Sequence, residues 1–166
     1  ATHSYAPIQL SRYVTTVANS GTCYDLTLID QVKDVNGNVI LDNHAKVRNK
    51  VNIANSTWKA VHNGMYRVVN GSRSSIGSMF SGMKVKIAGK TGTAQQSKLH
   101  ANHAYFVSYA PYKNPEISVT CVIPNGFTSS NAAQTARDVY KYYFSKNKKK
   151  VSGKIKMPES NTTHTD

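Results

Sequence analysis

Apolar side chains recur at helical spacing between Pro7 and Asn19, at Leu10, Tyr13, Val14 and Val17. Pro7 suits a first helical turn, and Asn19-Ser20-Gly21 supplies a stop. The period then changes. Val32-Lys33-Asp34-Val35 and Val39-Ile40-Leu41 flank Asn36-Gly37, a pattern that predicts a hairpin with positive φ at both central residues. Asp42 to Lys50 is a polar stretch. Asn55-Ser56 is placed to cap a second helix, whose buried stripe would be Trp58, Val61, Met65 and Val68. Asn70 to Ser81, rich in Gly and Ser, reads as a flexible loop.

Three strands are expected next. Lys84 to Ala88 alternates charged and apolar residues, as a strand with one wet face does. Ala104 to Ala110 is apolar and aromatic, and Ile117 to Ile123 lies between Pro115 and Pro124. The link between these last two is short enough for antiparallel neighbours. A closing helix is expected from about Asn131 to Phe144, with Ala133, Ala136, Tyr140 and Tyr143 on one face. Residues 145–166 have few apolar side chains and are expected to be disordered.

Composition narrows the classes. The 166 residues suit one domain. No apolar run reaches the roughly 18 residues of a membrane span, and no cleavable apolar leader follows Ala1. The formal charge of +13 comes from 21 Lys+Arg against 8 Asp+Glu, and six of the lysines lie between Lys146 and Lys156. Such a surface attracts nucleic acid, acidic lipid or cell-wall polyanion alike. No basic helix, zinc finger or aromatic-basic sheet face accompanies it, so a solvated lysine tail is the preferred reading and no specific nucleic acid is expected. Cys23 and Cys121 leave a single disulfide open, with two buried thiols the commoner arrangement.

The candidate chemistry is concentrated in Ala88-Gly89-Lys90-Thr91-Gly92-Thr93-Ala94. A glycine on a strand lets a ligand lie close along the backbone. Lys90 supplies positive charge, Thr91 and Thr93 supply hydroxyl donors for a carboxylate, and a free N–H beside Gly92 can face a developing oxyanion.

Lys-Thr-Gly is one element of the penicillin-recognising serine enzymes. Here its surroundings resemble the C-terminal part of the transpeptidase domain of class B penicillin-binding proteins, over roughly residues 4–144. Tyr5-Ala6-Pro7-Ile8-Gln9-Leu10 is similar to that family's Tyr-Thr-Pro-Leu-Gln-Leu, and Ala18-Asn19-Ser20-Gly21-Thr22 to its Ala-Asn-Gly-Gly-Thr. Gly64-Met65 before Val68-Val69, His103-Ala104-Tyr105-Phe106, Ala110-Pro111-Tyr112 and Asn114-Pro115-Glu116-Ile117 follow the same pattern. The resemblance implies an α+β fold, an antiparallel sheet with packed helices and Lys90 near the middle of the catalytic strand.

It also implies roles. Lys90 would hold the terminal carboxylate of a peptidoglycan stem peptide or a β-lactam and aid proton movement. Thr91 and Thr93 would bond that carboxylate, the Thr93 N–H would be half of an oxyanion hole, and Gly92 would let the ligand's amide pair with the strand. The parent enzyme would form an acyl-serine, pass the acyl group to an amine of a second stem, and work outside the bacterial cell membrane, anchored by a segment elsewhere. Neither cofactor nor metal is implied. The family's two other motifs should precede Tyr5, so residues 1–144 are expected to be part of a domain. The missing N-terminal part would be their partner, and apolar surface left exposed without it could support a dimer.

Alternatives within the chain are weaker. Ser56-Thr-Trp-Lys59, Ser81-Gly-Met-Lys84 and Ser145-Lys-Asn-Lys148 fit Ser-x-x-Lys, but 17 serines and 16 lysines make such matches unsurprising. His100 and His103 lack the further ligands a zinc site wants. Asn70 to Gly77 lacks the lysine ending of a phosphate loop. Tyr105 and Tyr109 share one strand face, read as core packing. Two rival functions remain at this stage: a β-lactam-sensing receptor, and a binder of acidic polymers through the lysine-rich end.

Overall fold

A computed structural model describes residues 5–96 and 98–145. The tail expected to be disordered therefore lies, beyond Ser145, outside the described residues. Helix α1 spans Pro7–Ala18. Ala6 precedes it without a capping side chain, and Gln9 Oε1 instead accepts from the Ala6 N–H at 2.8 Å. Val14 and Val17 are its buried positions, while Tyr13 is exposed.

Two small antiparallel ladders follow. Strands β1 (Thr22–Tyr24) and β4 (Val47–Lys50) pair, as do β2 (Gln31–Lys33) and β3 (Val39–Asp42). Strand β4 is exposed at all four positions, so no alternation marked it within the polar run. The β2–β3 turn differs from the expected one. Asp34 N bonds Asn38 O, leaving three residues in the loop, and only Gly37 has positive φ, at 88°. The Asp34 carboxylate accepts from the N–H groups of Asn36 and Asn38, each at 2.8 Å. Asn38 Nδ2 also donates to this carboxylate, at 2.9 Å. That side-chain bond foremost, with the backbone ones, holds the Asp34 carboxyl below its usual range, and together they stabilise the wider loop.

Helix α2 spans Asn55–Asn70. Asn55 and Ser56 do not cap it; the cap position is Ala54, whose carbonyl accepts from Thr57 and Trp58. Its buried stripe is Trp58, Met65 and Val69 rather than Val61 and Val68. The stretch expected to be a flexible loop is ordered. It contains a short 3-10 turn, Gly77–Phe80, and buries Ile76 and Phe80.

The main sheet has the order β5 (Ala88–Ala94), β6 (His103–Ala110), β7 (Ile117–Ile123), antiparallel throughout. Lys84 to Ile87 is not strand. Tyr112 N still bonds Lys86 O at 2.7 Å, but Pro111 has no N–H to extend the ladder. Helix α3, Ser129–Tyr143, starts two residues earlier than expected and is capped by the Thr128 hydroxyl.

The sheet's two faces differ. On one, Ala104, Phe106 and Ala110 pack with Ala132, Ala133, Ala136 and Tyr140 of α3. On the other, Ala88 and Tyr109 pack with Val14 and Val17 of α1 and Trp58 and Met65 of α2. This is an α+β sandwich of helix, sheet and helix, which positions β5 as an edge strand among the described residues. Cys23 and Cys121 are both free and lie in different sheets.

Two buried tyrosines make a contrast. Tyr140 Oη donates to Ser108 Oγ at 2.9 Å, pinning α3 to β6. The Tyr109 hydroxyl is buried without a hydrogen-bond partner among the described residues, and burial, with Tyr112 adding to it, pushes its pKa up to about 12. Burial pushes Tyr140 up further, despite its hydrogen bond. Both hold their protons more tightly folded than unfolded. Stability is therefore expected to fall as pH rises from the free-tyrosine value of 10.0 through about 12. Tyr109→Phe should flatten that fall in a pH series of thermal melts. At neutral pH it should leave Tm equal or higher, because no hydrogen bond is lost. A clear loss of Tm at neutral pH would contradict this account.

Candidate functional site

Strand β5 brings Lys90, Thr91, Gly92 and Thr93 to a sheet edge by pairing with β6 alone among the described residues. Every second residue of such a strand turns its N–H and C=O away from its neighbour, leaving them open to an added ligand strand. The register sets Lys90 opposite Val107, Thr91 opposite Phe106, Gly92 opposite Tyr105 and Thr93 opposite Ala104. Alternation then separates the four: Lys90 and Gly92 belong to the face of α1 and α2, Thr91 and Thr93 to the other.

Lys90 is exposed. Its ammonium donates to the Thr91 carbonyl at 2.6 Å, and it has no acidic partner among the described residues. A cleft of about 560 Å3 opens beside it, lined by Lys90, Thr91, Gly92, Gln95, Gln96 and Tyr105, with Tyr5 from just before α1 and Leu10 from its first turn. Thr93 is exposed and does not border this cleft. Three of the four site residues named from the sequence are thus gathered at one cleft.

Tyr105 is a correction. It shares a face with Tyr109 as expected, but only Tyr109 packs in the core, at 1% exposure; Tyr105 lines the cleft. Gln95 and Gln96 were missed, having no distinguishing pattern in the sequence, and His103, noted there only within the family pattern and as a weak zinc candidate, also borders the cleft. His103 Nδ1 accepts from the Asn125 N–H at 3.0 Å, so Nε2 carries the proton and donates to Gln96 Oε1 at 2.7 Å. Both ring nitrogens are therefore engaged in orienting the end of the cleft.

The glycines have steric reasons. A Cβ on Gly92 would stand 3.3 Å from Tyr105 Cβ. A Cβ on Gly89 would meet Phe106 Cζ at 2.5 Å. Gly89 thus lets the buried ring of Phe106 cross directly beneath the strand.

None of the internal Ser-x-x-Lys matches among the described residues approaches Lys90. Ser56 and Lys59 are exposed on the first turn of α2, and Ser81 sits in the turn after Phe80; none borders the lysine cleft.

Comparison with known proteins agrees with this architecture. The family model for the penicillin binding protein transpeptidase domain matches residues 2–141. Penicillin-binding protein 2B of Streptococcus pneumoniae strain D39 is 34% identical over 152 residues, covering 84% of this chain and 22% of that protein. Peptidoglycan D,D-transpeptidase MrdA of Haemophilus influenzae is 40% identical over 103 residues, covering 53% of this chain and 16% of that protein. The solved structure of penicillin-binding protein 2B from S. pneumoniae strain R6 superposes with a TM-score of 0.74 at 32% identity, covering 86% of this chain and 26% of that one. An imipenem acyl-enzyme complex of penicillin-binding protein A from M. tuberculosis gives the same TM-score at 20% identity, a likeness of fold. The chain thus spans about a quarter or less of the length of the two relatives and of the strain R6 structure.

Proposed function

The chain belongs to the penicillin binding protein transpeptidase domain family, and we propose that it forms the substrate-strand side of a D,D-transpeptidase site. The observation that carries this reading is an exposed lysine on an unpaired strand edge, open to a cleft. A stem peptide ending in D-Ala-D-Ala lies along β5, its amide paired with the strand beside Gly92. The Lys90 ammonium and the Thr91 hydroxyl, both bordering the cleft, hold its terminal carboxylate. A serine from the rest of the domain attacks the penultimate carbonyl. The Thr93 N–H receives the developing oxyanion. The C–N bond breaks, D-Ala leaves with a proton, and the acyl group remains on the serine until an amine of a second stem displaces it. β-Lactams acylate the same serine.

The partners follow: stem peptide, β-lactam and the remainder of the same domain. The place of action is the outer face of the cell membrane. No helix among the described residues is long and apolar enough to cross a membrane. The reading includes an anchoring segment elsewhere in the parent protein. This reading assigns residues 1–144 to the transpeptidase domain and leaves the lysine-rich sequence 145–166 outside it. A sensing role would use the same lysine strand, but a relative named as a peptidoglycan D,D-transpeptidase supports crosslinking instead.

A labelling experiment tests the division of labour. Residues 1–166 alone are expected to stay unlabelled by fluorescent penicillin, because acyl transfer needs its nucleophile. The intact parent should take up one equivalent, on a serine outside this chain. Stoichiometric labelling of Ser56, Ser81 or any other serine here would overturn the assignment.

A further inference from the structure

A second cleft, of about 870 Å3, shares Thr91 with the first and is otherwise built from the end of α2 and the turn that follows it. Arg67 and Arg73 both border it, together with the hydroxyls of Ser72 and Ser75. No Asp or Glu does, and neither arginine has an acidic partner among the described residues. Two exposed, unpaired guanidiniums flanking hydroxyl donors form a receiving site for an anion.

The arginines are held in place relative to the lysine strand. Asn70 Nδ2 donates to Tyr66 O at 3.0 Å and to Ile87 O at 2.8 Å, tying the last turn of α2 to the residue before β5. Gly71 N donates to Arg67 O at 2.9 Å and Ser74 N to Gly71 O at 3.0 Å, closing the turn that brings Arg73 to the same cleft as Arg67. Ser74 Oγ donates to Val68 O, and Ile76, 1% exposed, anchors the segment from below. The segment whose composition reads as a flexible loop is therefore a built turn.

We propose that Arg67 and Arg73 are specificity residues that draw the terminal carboxylate of the donor substrate, or of a β-lactam, to Thr91. This rests on the transpeptidase reading and extends it. The lysine trough fixes the carboxylate once bound, while the arginine cleft, which shares Thr91 with it, selects ligands that carry one. Opposite charges accelerate capture through a field that salt screens, so the signature is in the capture rate and its ionic-strength dependence.

The test uses the intact transpeptidase with two probes, benzylpenicillin and its uncharged methyl ester. The unmodified protein should be acylated faster by the acid. In R67Q/R73Q, acylation by the acid should fall roughly tenfold at low salt, and its salt dependence should flatten. The ester rate and Tm should stay unchanged, and R67K/R73K should recover much of the loss. Wild-type rates with both probes would overturn the proposal. So would an equal loss with both, which indicates a structural role. If the unmodified protein is acylated by neither probe, the transpeptidase reading itself fails, and this proposal with it, before any variant is made.

Discussion

Lys90→Ala in the intact transpeptidase should slow acylation by benzylpenicillin by about 10²–10³-fold, the scale of losing one preorganised charge or proton-transfer group from a site. The fold should barely notice. Lys90 is exposed, contributes to neither core cluster, and among the described residues its ammonium bonds only a carbonyl of its own strand. Tm should therefore move by less than about 2 °C, as for other surface substitutions. Lys90→Arg separates two roles. Arginine keeps the charge that holds a carboxylate but does not give up its proton, and it spreads its charge over a planar fork. It should retain ligand binding while recovering little of the acylation rate. Unchanged acylation in Lys90→Ala would remove Lys90 from the site, and a collapse of Tm would make it a structural residue.

The sequence disclosed this fold unevenly, and the reasons are physical. Helix α1 was legible because its buried Val14 and Val17 repeat at helical spacing, β6 because both of its faces pack and its run is apolar throughout, and β7 because Ile117, Val119, Cys121 and Ile123 alternate against the core between two prolines. Strand β4 was not, since all four of its side chains are exposed and pairing is carried by the backbone. The Asn36-Gly37 turn was located but misassigned in type, because the Asp34 carboxylate recruits two N–H groups that sequence pattern leaves unassigned. Ile76 and Phe80 looked isolated among Gly and Ser, yet two anchors suffice to fold that segment onto the core. The same blindness hid the arginine cleft: Arg67 and Arg73 are six residues apart, and only the closed turn brings them together. Lys90 to Thr93 was conspicuous because short-motif chemistry is local. The cleft beside it was not, since Tyr5, Leu10 and Tyr105 come from distant parts of the chain.

Gly89→Ala should be the most damaging small substitution near the site, lowering both stability and acylation. The added methyl would lie 2.5 Å from Phe106 Cζ, 2.8 Å from Cε2 and 3.1 Å from Ser108 Cβ. Phe106 cannot swing away. It is fully buried, packs against Phe80 with ring centroids 5.9 Å apart, and sits in the cluster that includes Ala132, Ala133 and Ala136. Relief must therefore come from β5 itself, whose next residue is Lys90. Overpacking of this kind costs about 1–3 kcal/mol, enough to lower the urea midpoint visibly. The same shift misplaces Lys90 and Thr91, and displacement by about 1 Å at a reacting centre can cost about 10²-fold in rate. A second substitution distinguishes strain from any other cause. Phe106→Leu alone should destabilise by leaving a void where the ring lay. Combined with Gly89→Ala it should cost less than the two single changes added together, because the smaller side chain admits the methyl. Additive losses in the double-mutant cycle would mean that the ring and the glycine are not in steric competition, and a wild-type midpoint for Gly89→Ala would show that the strand yields freely.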